Sequence, residues 1–267
     1  MLMKSDNSFL KQLQHATVWN RMEHISLEEM KTVTLMSRID TKYVTHQNKL
    51  LPILERAAAN KYRVQFTTCV LNGYNTTYYD TPSLEMYLMH HNQKLHRQKI
   101  RCRTYTDADI SFLEIKDKSN KGRTNKIRIP IDNTDFEQLK LDSKAVEFIG
   151  SNTRFDLLKL IPSVETDFYR ITLVNVNKTE RITIDVHLTF KNFTNNNEAA
   201  LTDLIIIELK QDGRYVSTMK EILRELRIKP FHLSKYCIGT AMTNTQIKTN
   251  RFKRKLHIMN KIKKSYE

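Results

Sequence analysis

The sequence predicts a single α+β domain: an antiparallel eight-stranded β-barrel that forms a tunnel, with helices packed outside it. Three observations predict this fold. About eight short segments alternate apolar and polar residues, the period of a half-buried strand. No composition break separates them within the 267 residues, a length that one large domain accommodates. Their polar faces are rich in Lys and Arg, which a curled sheet gathers on its inside.

The elements follow in order. Phe9, Leu13 and Val18 have roughly helical spacing. Ser26 followed by Glu29 is a capping box and predicts a second helix to about Met36. RIDTKYV (38–44) alternates, and 45–59 reads as a helix whose early turns Pro52 weakens. YRVQFTTCVL, Asn72-Gly73 and YNTTYYDT predict a hairpin. SLEMYLMHHNQKLH fits either type of element. RQKIRCRTYT, ISFLEIKDK, TNKIRIPI, SVETDFYRITLVNV, ERITIDVHLTF and DLIIIELK predict strands, with short helices near 136–139, 153–160, 216–227 and 233–242. The chain thus divides into N-terminal helices packed on the barrel (1–35), a tunnel domain (36–245) and a basic C-terminal helix or tail (246–267).

Charge bounds the function. The formal net charge is +15, and 248–267 alone hold eight Lys/Arg against one Glu. The body is basic without that tail, which points to a polyanionic partner. No run of eighteen apolar residues exists and the N-terminus lacks an apolar signal core, so a cytoplasmic protein is expected. Cys69, Cys102 and Cys237 are scattered and odd in number, which argues for reduced thiols rather than zinc or a catalytic cysteine. P-loop, GxGxxG and HExxH patterns are absent. His90, His91 and His96 lack zinc spacing and read as surface or phosphate-contacting groups.

The polar faces carry the chemistry. KIRCRTY sets Lys99, Arg101 and Arg103 opposite Ile100, Cys102 and Thr104. The same alternation groups Arg38, Asp40 and Lys42; Glu114, Lys116 and Lys118; Lys126 and Arg128; Arg181, Thr183, Asp185 and His187; and Glu208 and Lys210, with Arg170 added by FYRI. Taken singly, each is the solvated face of an antiparallel strand. Together they would line the inside of a closed sheet, where unpaired cations are costly unless a polyanion compensates them. Arg and Lys are the appropriate donors to phosphate oxygens. The scattered acids either pair with these bases or hold Mg²⁺ or Mn²⁺; metal binding is assigned to Glu208, Asp40 and Asp185.

RIDTKYV, YYDTPSLEMYLMH, QKIRCRTY, FLEIKDK and IIIELK followed by SKY run in one order from about residue 36 to 240. This combination resembles the VTC domain, the polyphosphate-polymerase branch of the triphosphate tunnel metalloenzymes (CYTH-like superfamily). The resemblance implies a tunnel that binds ATP and polyphosphate and moves the γ-phosphate of ATP to a growing chain with Mn²⁺ or Mg²⁺. It implies Lys42, Arg101, Arg103, Lys116, Lys126, Arg170, Arg181 and Lys235 as phosphate-binding bases, Glu208 as metal ligand and Tyr43 at the nucleotide entrance. Arg101, Arg103, Arg170 and Arg181 are expected to clamp the transferred group. Lys42, Tyr43, Lys116, Lys126, Arg128 and Lys235 are expected to bind phosphate or nucleotide. Broader tunnel enzymes begin ExExK, where this chain has Arg38, Asp40 and Lys42. No SPX-like regulatory region is evident, so a stand-alone domain of prokaryotic type is expected. Two other readings stay open: a tunnel triphosphatase acting on ATP or inorganic triphosphate, and a non-catalytic polyphosphate-binding module. Nucleic acid ranks low, because only Tyr105 interleaves with the basic faces. The basic C-terminus leaves a peripheral membrane contact open.

Overall fold

A computed structural model describes residues 8–33, 35, 38–120, 124–132 and 134–266. Eight strands form its main path: β1 (Arg38–His46), β2 (Asn72–Asp80), β3 (Arg97–Tyr105), β4 (Ile110–Lys118), β5 (Thr124–Ile131), β6 (Ile161–Val174), β7 (Glu180–Asn192) and β8 (Leu204–Asp212). They are antiparallel in the order β1-β8-β7-β6-β2-β3-β4-β5. The helices are α1 (Ser8–Gln14), α2 (Leu27–Lys31), α3 (Leu50–Ala59), α4 (Glu85–His91), α5 (Phe136–Leu141), α6 (Ser143–Asn152), α7 (Thr218–Glu225), α8 (Lys235–Thr243) and α9 (Lys253–Lys264).

The α+β single domain is the fold the alternation predicts, with one correction. Among the described residues no ladder joins β1 to β5, so the sheet is curled but not closed by hydrogen bonds. It curls far enough that Lys42 on β1 and Lys116, Lys118 and Thr124 on β4 and β5 line one cavity. The free edge of β1 is covered by the chain leading into α8: Phe231 N donates to Lys42 O at 2.6 Å, and Tyr43 bridges to Pro230.

The convex face holds most of the core. Tyr43, Ile182, Ile184, Ile205 and Ile207 pack under α3 and α7 through Leu50, Ile53, Leu54, Met219 and Leu223. Ile53 and Leu54 are fully buried, and each such side chain contributes about 1.5–3 kcal/mol by transfer from water. Ile100, Leu113 and Ile115 pack with Phe136 and Leu139 of α5 and Ala145 and Ile149 of α6. Pro52 lies in the first turn of α3, where its missing N–H costs no helical bond.

Local departures from the sequence reading have physical causes. The capping box at Ser26 and Glu29 forms, but α2 ends at Lys31; the expected end at Met36 lies outside the described residues. Asn72-Gly73 is not a turn. It opens β2, opposite Arg170 and Tyr169. A Cβ on Gly73 would stand 2.1 Å from Thr106 Oγ1, so this glycine serves a close approach. The expected helix at 153–160 is only a short 3₁₀ turn, Leu157–Lys159, and α6 precedes it. One helix, α8, lies across the concave face. A Cβ on its Gly239 would come within 2.4 Å of Phe190, and its Tyr236 stacks on Tyr78 at 5.1 Å. No helix among the described residues is long and apolar enough to cross a membrane.

Candidate functional site

Register gathers the charges. Directly paired residues share a face: Lys42 opposes Glu208, Lys210 opposes Arg181 and Asp40, Arg170 opposes Asp185, Arg101 opposes Glu114, and Lys116 opposes both Lys99 and Lys126. The concave face therefore carries every strand residue expected at the site except Tyr43. Tyr43 belongs to the convex core, 2 % exposed with its hydroxyl unpartnered. The expected nucleotide contact is thus corrected: position 43 is one residue out of phase with Lys42. A bulge opposite Phe168, absorbed by His187 at φ 53°, also removes His187 from the face of Asp185 and places it near Tyr169.

Three carboxylates on this face are claimed by bases. Arg101 Nε donates to Glu114 Oε2 at 2.8 Å, and Lys126 Nζ donates to Glu114 Oε1 at 3.0 Å. Burial opposes the Glu114 anion, but Arg101, Arg103 and Lys126 outweigh it and hold the carboxyl well below its usual range. Arg170 grips Asp185 with two bonds, Nε at 2.6 Å and a terminal nitrogen at 2.9 Å. Lys235, at the start of α8, brings its Nζ to 2.7 Å from Asp185 Oδ2, an ion pair without an aligned hydrogen bond. Burial again opposes the Asp185 anion, and Arg170 and Lys235 again prevail. Glu208 pairs with Lys42 and lies 3.5 Å from Lys210 Nζ.

Between these clusters stand cations with no carboxylate partner among the described residues: Lys99, Arg103, Lys116 and Arg181. Arg103 Nε donates to Thr76 Oγ1 at 3.2 Å, and its guanidinium sits 5.5 Å from the Tyr74 ring centre. Lys99 Nζ donates to Ser234 Oγ at 2.9 Å. Arg101, burial and Arg103 push the Lys116 ammonium well below the ordinary lysine value. Burial, then Arg101 and Arg170, push the Arg103 guanidinium down. Burial and Arg38 do the same at Arg181.

The other expected residues stand on the same face toward its exposed ends. Lys126 and Arg128 sit on the exposed end strand β5, with Arg128 4.1 Å from the Phe112 ring centre. Asp40 pairs with Arg38 at 2.7 Å on an exposed stretch of β1. No group of three or more His, Cys, Asp or Glu is placed to hold a metal among the described residues. His90 is half-buried, with Nε2 3.3 Å from Gln98 O, and burial beside Lys99 and Arg97 pushes its pKa down to about 2.

Sequence reading missed the scaffold behind the wall. Asp80 is fully buried, accepts from Met86 N and Tyr87 N at 2.9 Å each, and binds the Tyr236 hydroxyl. It thereby ties α4 and α8 to β2 and fixes the residue next to Lys235. The signal was YYDTPS, an acid followed by turn residues before a helix. Tyr74, Thr76 and Tyr78 also face the site but carry no charge to mark them.

A family model described as the VTC domain matches residues 37–244. A search of curated proteins gave no match. Among solved structures, a presumed adenylyl cyclase from Hippeastrum, described as having a dominant triphosphatase activity, aligns with a TM-score of 0.49 at 11% identity. It covers 78% of this chain and 98% of that one. A presumed adenylate cyclase from Vibrio parahaemolyticus gives 0.47 at 13% identity over 77% and 99%. Another from Bacillus halodurans gives 0.45 at 13% identity over 82% and 100%.

Proposed function

The chain belongs to the VTC domain family, and from that premise we propose that it is a phosphotransferase that moves the γ-phosphate of ATP onto a growing polyphosphate chain held on its concave wall. The observation that carries this reading is a set of cations without a carboxylate partner among the described residues, buried Arg103 with half-buried Lys99, Lys116 and Arg181, standing between bases already paired with acids. A ligand with many phosphate oxygens supplies the missing negative charge.

Phosphoryl transfer asks a protein mainly for positioning and charge stabilisation. Arg103 and Arg181 bind the transferred group, while Arg101 and Arg170, fixed by Glu114 and Asp185, hold its neighbours. Lys42, Lys116, Lys126, Arg128 and Lys235 orient the rest of the phosphate chain. A phosphate acceptor is already an anion at neutral pH, so no general base is required. Glu208 would hold a divalent cation, because only one of its oxygens is hydrogen-bonded, to Lys42, and the other lies 3.5 Å from Lys210 Nζ, whereas Asp185 has both oxygens hydrogen-bonded and Asp40 pairs with Arg38 on an exposed stretch of β1. Mg²⁺ and Mn²⁺ commonly use one or two carboxylates together with phosphate oxygens. Such an ion would neutralise charge between phosphates. Incubation with ATP and Mn²⁺, with products resolved on a gel stained for long chains, tests the reading. Chains are expected; release of free phosphate alone would make the protein a hydrolase, and no turnover would leave a binding module.

A further inference from the structure

Past the residues matched to the family, the chain folds back onto the sheet. Tyr87 Oη donates to Lys248 O at 2.9 Å, and Arg251 N donates to His91 Nε2 at 3.4 Å. Phe252 is buried edge-on to Tyr87 and His91, with ring centres 5.8 and 5.4 Å away. These contacts seat the start of α9 beside α4. They carry Arg251 and Lys255 onto the rim of a cavity of about 560 Å³ that is also lined by Lys42 and Lys116 of the wall.

Arg97, Lys99 and Lys118 line the same cavity, and among the described residues no Asp or Glu does. Lys99, Lys116, Lys118, Arg251 and Lys255 have no carboxylate within ion-pair distance among the described residues. A solvated surface normally mixes both signs. Here cations from β3, β4 and the C-terminal segment converge without counter-charge among the described residues, and a bound anion relieves their mutual repulsion. Lys42, Lys99 and Lys116 belong to both wall and cavity, so one linear ligand can run from the first to the second.

We propose that this mouth is a second anion subsite, completed by Arg251 and Lys255, for the phosphates of a linear inorganic polyphosphate that extend beyond the triphosphate on the wall. The proposal rests on the phosphate-transfer reading of that wall. It makes the C-terminal segment a determinant of chain-length preference.

The test is calorimetric titration of the full chain with inorganic tripolyphosphate and with long-chain polyphosphate, repeated on R251A/K255A and on the charge-keeping R251K/K255R. The parent should prefer the long chain. R251A/K255A should lose about tenfold in long-chain affinity, the scale of two partly exposed charge contacts. It should hold tripolyphosphate as the parent does, and R251K/K255R should retain both ligands. Parent-like long-chain binding by R251A/K255A, or equal loss of both ligands, would overturn the subsite. A parent that binds tripolyphosphate but gains nothing from a longer chain would remove the subsite and spare the wall. A parent that binds neither would remove both.

Discussion

Arg101 and Arg103 lie two residues apart on β3, both nearly buried, at 4 % and 8 % exposure, and their surroundings are opposite. Arg101 faces Glu114 across the ladder and is gripped by it; Arg103 faces Phe112 and, among the described residues, meets Thr76 and the Tyr74 ring but no carboxylate. The first arrangement is complete within the protein. The second leaves a desolvated charge whose partner must come from outside. On the proposed reading the difference separates two duties on one wall: paired bases build the frame, and unpaired ones are left for a phosphate ligand. A buried charge deprived of its partner is far more damaging than a pair replaced as a whole, so the two groups should respond to mutation in opposite ways.

Asp185→Ala should have the largest effect. It strands Arg170 and Lys235 side by side, and a loss of about 3–5 kcal/mol is expected in urea unfolding. A loss below roughly 1 kcal/mol, the worth of a surface pair, would show that Asp185 is no framing residue. Arg103→Ala should reverse the pattern. Turnover should fall by about 10²–10³ through lost charge stabilisation, while the urea midpoint stays level or rises. Parent-like polyphosphate synthesis by this variant would erase the distinction between the two arginines.

Lys116→Met sharpens the comparison at a smaller scale. Removing a cation crowded by Arg101 and Arg103 should raise the stability of the ligand-free protein by about 1–2 kcal/mol and weaken tripolyphosphate binding. A destabilised variant would mean that Lys116 is already satisfied. Tyr43→Phe should have the smallest effect. It removes a buried, unpartnered hydroxyl on the convex side, so about 1 kcal/mol of added stability and unchanged triphosphate affinity are expected. Weaker ATP binding by this variant would restore Tyr43 to the entrance.

The pH response follows from the same pairing. Glu114, Asp185 and Glu208 are held below their usual values, so their contribution is present at neutral pH and is lost as acid protonates them. Lys99, Lys116 and Lys235 are also pushed down, chiefly by burial at Lys99 and Lys235 and by Arg101 at Lys116. Their charged forms oppose folding, and that opposition eases as pH rises. In both sets the unfolded chain binds more protons, so stability should rise with pH, through the acids up to about pH 5 and through the lysines on the alkaline side, up to about pH 10. A urea midpoint that does not fall as pH drops from about 5 to 2 would show that the acids are not paired in solution.

How far the sequence could be read depended on what alternation encodes. Period-two spacing identified the strands and the side on which Arg101, Arg103, Glu114, Asp185 and Glu208 stand, because facing is local. It failed at His187, where a bulge reset the phase; at Tyr43 the spacing marked a core residue, and only the family motif placed it at the entrance. Asn72-Gly73 misled because glycine's tolerance of turns and its tolerance of close contacts look alike in one dimension. The division into paired and unpaired bases was out of reach, since Lys235 meets Asp185 across 50 residues of chain and Lys42 meets Glu208 across 166. The cavity rim formed by Arg251 and Lys255 depends on Phe252 docking between Tyr87 and His91, which no local pattern announces.

The central claim is that the concave wall is an incomplete set of charges that a triphosphate completes. Calorimetric titration of inorganic tripolyphosphate into the full chain and into the Arg103→Ala variant, at one fixed ionic strength, tests it most directly. One site per chain is expected in the parent, with affinity lower by about 10²-fold in the variant, the scale of one lost buried charge-assisted contact. Equal affinity in the two proteins, or no binding to the parent, would contradict the account.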